Sequence, residues 1–136
     1  FKKKNLIIIN DSKSTSFSSS TSILKANRNI FWLVGGIFKK GDKFKLGKKN
    51  LKNVRAFIYG KNKKFFNKEL KKKVKTKNFR NLNNAVKNIF SLIKNENLDT
   101  NTILFSPCAA SFDSFKNFED RGLYFNKLIK NFLNEV

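Results

Sequence analysis

Histidine and methionine are absent from this 136-residue chain, cysteine and proline occur once each, and 9 acidic residues stand against 30 lysines and arginines. Without histidine, neither a Ser-His-Asp triad nor a Cys-His pair can be assembled from this chain alone, because each needs an imidazole to take the nucleophile's proton. A single cysteine excludes an internal disulfide framework and fits a reducing compartment, so a cytoplasmic location is expected. One cysteine, no histidine and scattered carboxylates do not make a typical set of metal ligands, and no metal site is expected. The one adjacent pair of carboxylates, Glu119-Asp120, falls in the first turn of a predicted helix, where the helix dipole accounts for it. No apolar run reaches the length that crosses a bilayer and no signal peptide is visible, so no membrane partner is expected. The chain begins at Phe1 rather than Met, and a piece of a longer protein is expected.

What the chain does have is positive charge, a formal +21. A balance of this kind ordinarily points to nucleic acid or an anionic membrane. Here all the basic residues except Arg28, Arg55, Arg80 and Arg121 are lysine, and they are spread along the chain with abundant Asn, Ile and Phe. That uniform enrichment reads as codon bias in an AT-rich genome, so specific nucleic-acid binding is not expected. A basic surface still draws anionic substrates toward it.

The length suits one domain with a sizeable core. Strands are predicted at Leu6–Ile9, Ile30–Val34, Val54–Tyr59, Lys75–Phe79 and Thr102–Phe105, each a short run bounded by turn residues. Helices are predicted at Phe17–Ala26, Asn62–Val74, Asn81–Asn95 and Phe118–Leu133. The third is the clearest, with Leu82, Ala85, Val86, Ile89, Phe90 and Ile93 at the i, i+3, i+4 spacing. Asp42–Asn53 reads as a loop with a short helical piece, anchored by Phe44, Leu46 and Leu51. The alternation gives an α/β fold, a single domain with a mostly parallel sheet, because helical crossovers join parallel strands.

Three loops at the carboxyl ends of predicted strands carry the chemistry. Asn10–Thr15 holds an acid, a lysine and several hydroxyls; it is either a strand-to-helix turn or a ligand loop, and Thr15 or Ser16 is placed to cap the helix that follows. Gly35-Gly36 ends the second predicted strand, with Lys39 and Lys40 just beyond. No segment matches GxxxxGK[ST], so a P-loop is excluded. The third loop opens the stretch Ser106–Gly122, SPCAASFDSFKNFEDRG. Pro107 breaks the strand, small residues follow, and Asn117 is placed as a helix N-cap. Phe118, Gly122, Phe125, Ile129 and Phe132 then recur at helical spacing. Cys108 has no partner base and reads as a small packing residue. Ligands bind at such strand ends in open α/β sheets, and two lysines, hydroxyls and a helix N-terminus suit a dicarboxylate.

The Ser106–Gly122 stretch resembles the C-terminal signature of the D-glutamate-adding branch of the Mur ligases of peptidoglycan synthesis. Asn10–Thr15 resembles that family's N-D-S-K-A/S-T pattern, and Lys39, three residues after the second glycine, its substrate lysine, with Lys40 adjacent. The resemblance covers nearly the whole chain and implies a Rossmann-like, mixed sheet flanked by helices. It implies D-glutamate contacts at Thr15, Lys39, Ser111, Phe112 and Phe118, and ATP contacts at Asp11 and Lys13. Lys116 lies in the FKNF run without an assigned role. The implied reaction is ATP-dependent: the carboxylate of UDP-N-acetylmuramoyl-L-alanine is phosphorylated, the D-glutamate amine attacks the acyl phosphate, and phosphate leaves. The P-loop, the Mg2+ ligands and the UDP-binding part would belong to central and N-terminal domains absent from residues 1–136. No catalytic residue is therefore expected in this chain, which should be inactive alone, and a monomer is expected. The order Cys108-Ala109-Ala110 departs from the common Ala-Cys-Ala. Two rivals remain: a sister Mur or folylpolyglutamate ligase, which should lack SFDxFKNF, and a non-catalytic basic module for nucleic acid.

Overall fold

The structure, a computed structural model, describes residues 2–3, 6–26, 29–47, 49, 51–96, 100–109 and 116–134. In chain order these form β1 (Lys2–Lys3), β2 (Leu6–Asn10), a 3-10 turn (Phe17–Ser20) running into α1 (Thr21–Ala26), and β3 (Ile30–Gly35). After these come β4 (Val54–Tyr59), α2 (Lys63–Leu70), β5 (Lys75–Phe79), α3 (Leu82–Asn95), β6 (Asn101–Phe105) and α4 (Phe118–Leu133).

Side chains alternate across each strand, and in the central strands both sets are apolar. Ile30, Trp32 and Val34 of β3 turn to one face of the sheet with Val54, Ala56 and Ile58 of β4 and Leu104 of β6. Phe31, Leu33, Phe57, Tyr59, Ile103 and Phe105 turn to the other. Each face is covered by two helical segments. Phe17 and Leu24 from the 3-10 turn and α1, with Phe66 and Leu70 of α2, close the first. Leu82, Val86 and Ile89 of α3, with Phe125, Leu128 and Ile129 of α4, close the second.

The strand order is β1-β2-β6-β3-β4-β5. Strands β2, β6, β3, β4 and β5 are all parallel, and the two-residue β1 pairs antiparallel with β2 at one edge. The predicted mixed, mostly parallel α/β sheet is therefore what forms. Because β6 inserts between β2 and β3, the loops that follow these three strands emerge side by side from the same edge of the sheet.

Two expectations are corrected. The helix predicted over Asn62–Val74 stops at Leu70. The next residues tighten into a turn, in which Lys73 and Val74 both donate their N–H to Leu70 O. Val74 must return to the core, where it is buried, before β5 begins. Phe118 does not join the buried stripe of α4. It is 44% exposed, because the helix starts beyond the sheet edge, and the buried residues are Arg121, Gly122, Phe125, Leu128 and Ile129. Phe44, Leu46 and Leu51 anchor the long β3–β4 connection as expected; residues 42–47 run without helix, and the rest of the predicted short piece borders residues outside the described set.

Candidate functional site

The loop after β2 is fixed to the loop after β6 by a buried polar network. Asp11 N–H donates to Phe105 O at 2.7 Å, and the Asp11 carboxylate accepts the Ser106 hydroxyl at 2.9 Å. Ser14 Oγ lies 3.1 Å from Ser106 Oγ and accepts the N–H of Cys108 at 2.8 Å. The Ser20 hydroxyl, from the 3-10 turn, contacts both Ser106 Oγ and Cys108 Sγ. Trp32 ties β3 to the same point, its indole N–H donating to Ser106 O at 2.8 Å. Buried hydroxyls and carboxylates are costly unless partnered, and here each finds a partner in a neighbouring loop.

Cys108 sits at φ +58, a left-handed conformation seldom taken by a side chain with a Cβ. Burial pushes its thiol up from the ordinary 9.0 to about 12, opposed in part by hydrogen bonds from Ser20, Ser14 and Ser106. The thiol is protonated at neutral pH, in keeping with a packing role rather than that of a nucleophile.

Arg121 joins the two loops from the other side. Almost fully buried, its guanidinium donates from Nη1 to Ala109 O at 2.8 Å, from Nη2 to the carbonyls of Ser12 and Ser14, and from Nε to Ser12 Oγ at 3.2 Å. Ser12 Oγ donates onward to Phe118 O at 2.6 Å, and Asn10 Nδ2 donates to Gly122 O at 3.0 Å and Asn126 Oδ1 at 2.8 Å. Helix α4 begins at Asn117, whose side chain accepts from Asp120 N, the cap read from sequence. Reading the sequence missed Arg121, because arginine is usually a surface residue. Its signal was position: it lies one helical turn before Phe125 on the apolar stripe of α4.

The third loop follows β3. Gly35 N–H donates to Pro107 O at 3.1 Å, holding this loop beside the one after β6. Beyond it, Ile37, Phe38, Lys39 and Lys40 are exposed. Lys13, Thr15 and Lys39 thus stand exposed on loops of one sheet edge, and Asp11 is turned inward beneath them. Phe118 stands exposed at the start of α4, across a shallow groove of about 400 Å3 that also borders Lys13. Ser111 and Phe112 lie outside the described residues. A larger groove, about 630 Å3, opens at the opposite edge of the sheet between the starts of β4 and β5, and its charged lining is all basic. The strand-end loops, not this groove, carry the varied polar groups a specific ligand needs. Among the described residues no group of three or more His, Cys, Asp or Glu side chains could hold a metal ion. No helix among them is long and apolar enough to cross a membrane.

No family model matches the chain. Individual relatives do. It is 36% identical over 132 residues to the UDP-N-acetylmuramoylalanine–D-glutamate ligase of Rickettsia felis, a match that covers 97% of this chain and 29% of that protein. To the protein of the same name from Wolbachia pipientis wMel it is 36% identical over 130 residues, covering 96% and 25%. To that of Prochlorococcus marinus it is 34% identical over 134 residues, covering 95% and 28%. The chain spans between a quarter and three tenths of the length of these relatives. With matches of one name running along nearly all of it, on a parallel α/β sheet, the chain belongs to the Mur ligase family, beside the UDP-N-acetylmuramoylalanine–D-glutamate ligases.

Proposed function

We propose that this chain is the C-terminal domain of an ATP-dependent ligase that adds D-glutamate to UDP-N-acetylmuramoyl-L-alanine in peptidoglycan synthesis. The observation that carries the reading is the convergence of the loops after β2, β6 and β3 on one sheet edge, in a chain related to ligases of that name. In this reading Lys39 neutralises a carboxylate of D-glutamate. Thr15, Ser111 and the backbone about Phe112 and Phe118 supply the remaining contacts. Asp11 and Lys13 contact ATP in this reading, and the Asp11 carboxylate, which also accepts the Ser106 hydroxyl, holds the loop that presents Lys13. The chemistry is acyl phosphate formation followed by attack of the D-glutamate amine and loss of phosphate. Mg2+ and the residues that hold it, the nucleotide P-loop and the UDP-binding part belong to other domains, so this chain binds and orients without catalysing alone. The enzyme works in the cytoplasm.

The test uses the full-length enzyme and its Lys39→Ala variant. A charge-assisted hydrogen bond is worth about 1.5–3 kcal/mol, so KM for D-glutamate should rise roughly ten- to a hundredfold. Acyl phosphate forms before D-glutamate attacks, so its formation from ATP should change less. Unchanged D-glutamate kinetics would move the role to Lys40 or away from this loop. Equal loss of acyl phosphate formation would make Lys39 a nucleotide residue.

A further inference from the structure

The helical segment that opens at Phe17 is not capped by its own neighbours. Ser16 occupies the cap position in an extended conformation, φ −150 and ψ 162, and makes no side-chain capping bond. Its hydroxyl turns to Ser18 instead. The Phe17 N–H donates to Asp42 Oδ2 at 2.9 Å, across 25 positions of sequence. The local cap expected of Thr15 or Ser16 is thus replaced by one from the loop after β3.

Asp42 is bound at its main chain as well. Its N–H donates to Lys39 O at 3.0 Å, closing the four-residue turn Lys39-Lys40-Gly41-Asp42. Gly41, third in that turn, has φ +83, the conformation a type II turn requires at this place. A Cβ on Gly41 would meet nothing within 4 Å, so the glycine serves backbone conformation rather than space. The next residues fix the far side of the turn: Lys43 pairs with Glu69 of α2 at 3.5 Å, and Phe44 is buried in the core.

We infer that Asp42 is a positioning residue for the ligand edge. It holds the turn that bears Lys39 with its N–H, and with its carboxylate the start of the helical segment two residues after Thr15. A side-chain cap from Ser16 would reach the N–H groups two or three residues on, not that of Phe17, and would not link the two loops. The remote carboxylate fixes the span between a lysine and a hydroxyl, the groups that recognise an acidic amino acid. This inference rests on the ligase reading of that edge, but the link has its own readout.

The test compares Asp42→Ala and Asp42→Asn in the full-length enzyme. Asn keeps an oxygen that accepts the Phe17 N–H; Ala does not. For Asp42→Ala, KM for D-glutamate should rise about tenfold with acyl phosphate formation nearly unchanged, since misplacing a contact by about 1 Å is costly. Asp42→Asn should stay within about threefold of wild type, having lost only the charge assistance. Hydrogen exchange at the Phe17 amide should accelerate in Asp42→Ala and remain slow in Asp42→Asn, with the β3 amides unaffected in both. Unchanged Phe17 exchange in Asp42→Ala would overturn the link. Altered exchange with unchanged KM would reduce Asp42 to a structural cap and overturn the positioning role. An equal KM rise in both variants would assign the effect to charge, again against it. A wild-type enzyme that consumes no D-glutamate would sink the ligase reading instead, and the exchange result would still report whether Asp42 makes the bond.

Discussion

At Cys108 the consequence of burial can be followed into stability. Its thiol is raised to about 12 in the folded chain, first by desolvation, against an ordinary 9.0. Between those values the unfolded thiol has ionised while the folded one keeps its proton. The folded state then binds more protons, so stability falls as pH rises, by about 1.4 kcal/mol per pH unit where the difference is complete. Below pH 9 the contribution is whole. The lysines titrate in this range too, and a comparison with Cys108→Ala, which keeps a Cβ at the same left-handed position, cancels most of their effect. Urea unfolding from pH 8 to pH 11 should show wild type losing its advantage over the variant as pH rises. A constant difference over that range would mean the thiol ionises as easily folded as unfolded.

Among the elements, β3 and β4 show how closely the carboxyl edge of the sheet is built. Gly35 is paired with Tyr59 at the ends of these strands. A Cβ on Gly35 would lie 2.2 Å from Tyr59 O and 3.1 Å from the Tyr59 carbonyl carbon, contacts backbone cannot relieve without moving. Gly35→Ala should therefore cost about 1–3 kcal/mol, as overpacking does, and shift the loop that carries Lys39. Gly41→Ala meets no atom and should cost about 1 kcal/mol or slightly more, for conformation alone. Urea midpoints of the two variants decide; a Gly35→Ala midpoint no lower than that of Gly41→Ala would mean that the strand ends are looser than their pairing indicates. The central strands were legible in sequence because runs buried on both faces are apolar throughout and end in turn residues; the edge strand KTKNF is largely exposed and lacks that signal. Val54–Tyr59, Lys75–Phe79 and Phe118–Leu133 were placed with their observed bounds. Strand order was not legible, since nothing local says that β6 enters between β2 and β3. The end of α2 was missed because Lys71-Lys72-Lys73 suits a solvated helix, and only the tertiary demand on Val74 stops it. The network of Ser14, Ser20 and Ser106 was missed because serines in a loop, a predicted helix and a strand end give no local sign of pairing until the fold brings them together.

The two edges of the sheet carry their charge in different surroundings. The edge that carries the loops after β2, β6 and β3 mixes lysines with hydroxyls, an inward carboxylate and a helix start. At the opposite edge Lys52, Arg55, Lys71, Lys72, Lys73 and Lys75 line one groove. Two of these cations already have partners. Arg55 pairs with Glu96 at 2.9 Å, which holds that carboxyl below its usual range, and stacks over Phe31; Lys73 Nζ donates to Phe44 O and lies over its ring. What remains is an exposed cluster of point charges without the arginine forks or aromatic platforms that read bases. It should attract any polyanion through counterion release and distinguish none. Duplex DNA titrated at rising salt should bind with a Kd no tighter than roughly 10⁻⁴–10⁻⁶ M near physiological ionic strength, with little dependence on sequence. Replacing Lys71, Lys72 and Lys75 together by Gln should flatten the plot of log affinity against log salt by at most about 0.9 per lost phosphate contact. Tight, sequence-selective binding that survives physiological salt would overturn this account and restore the nucleic-acid reading of the +21 charge.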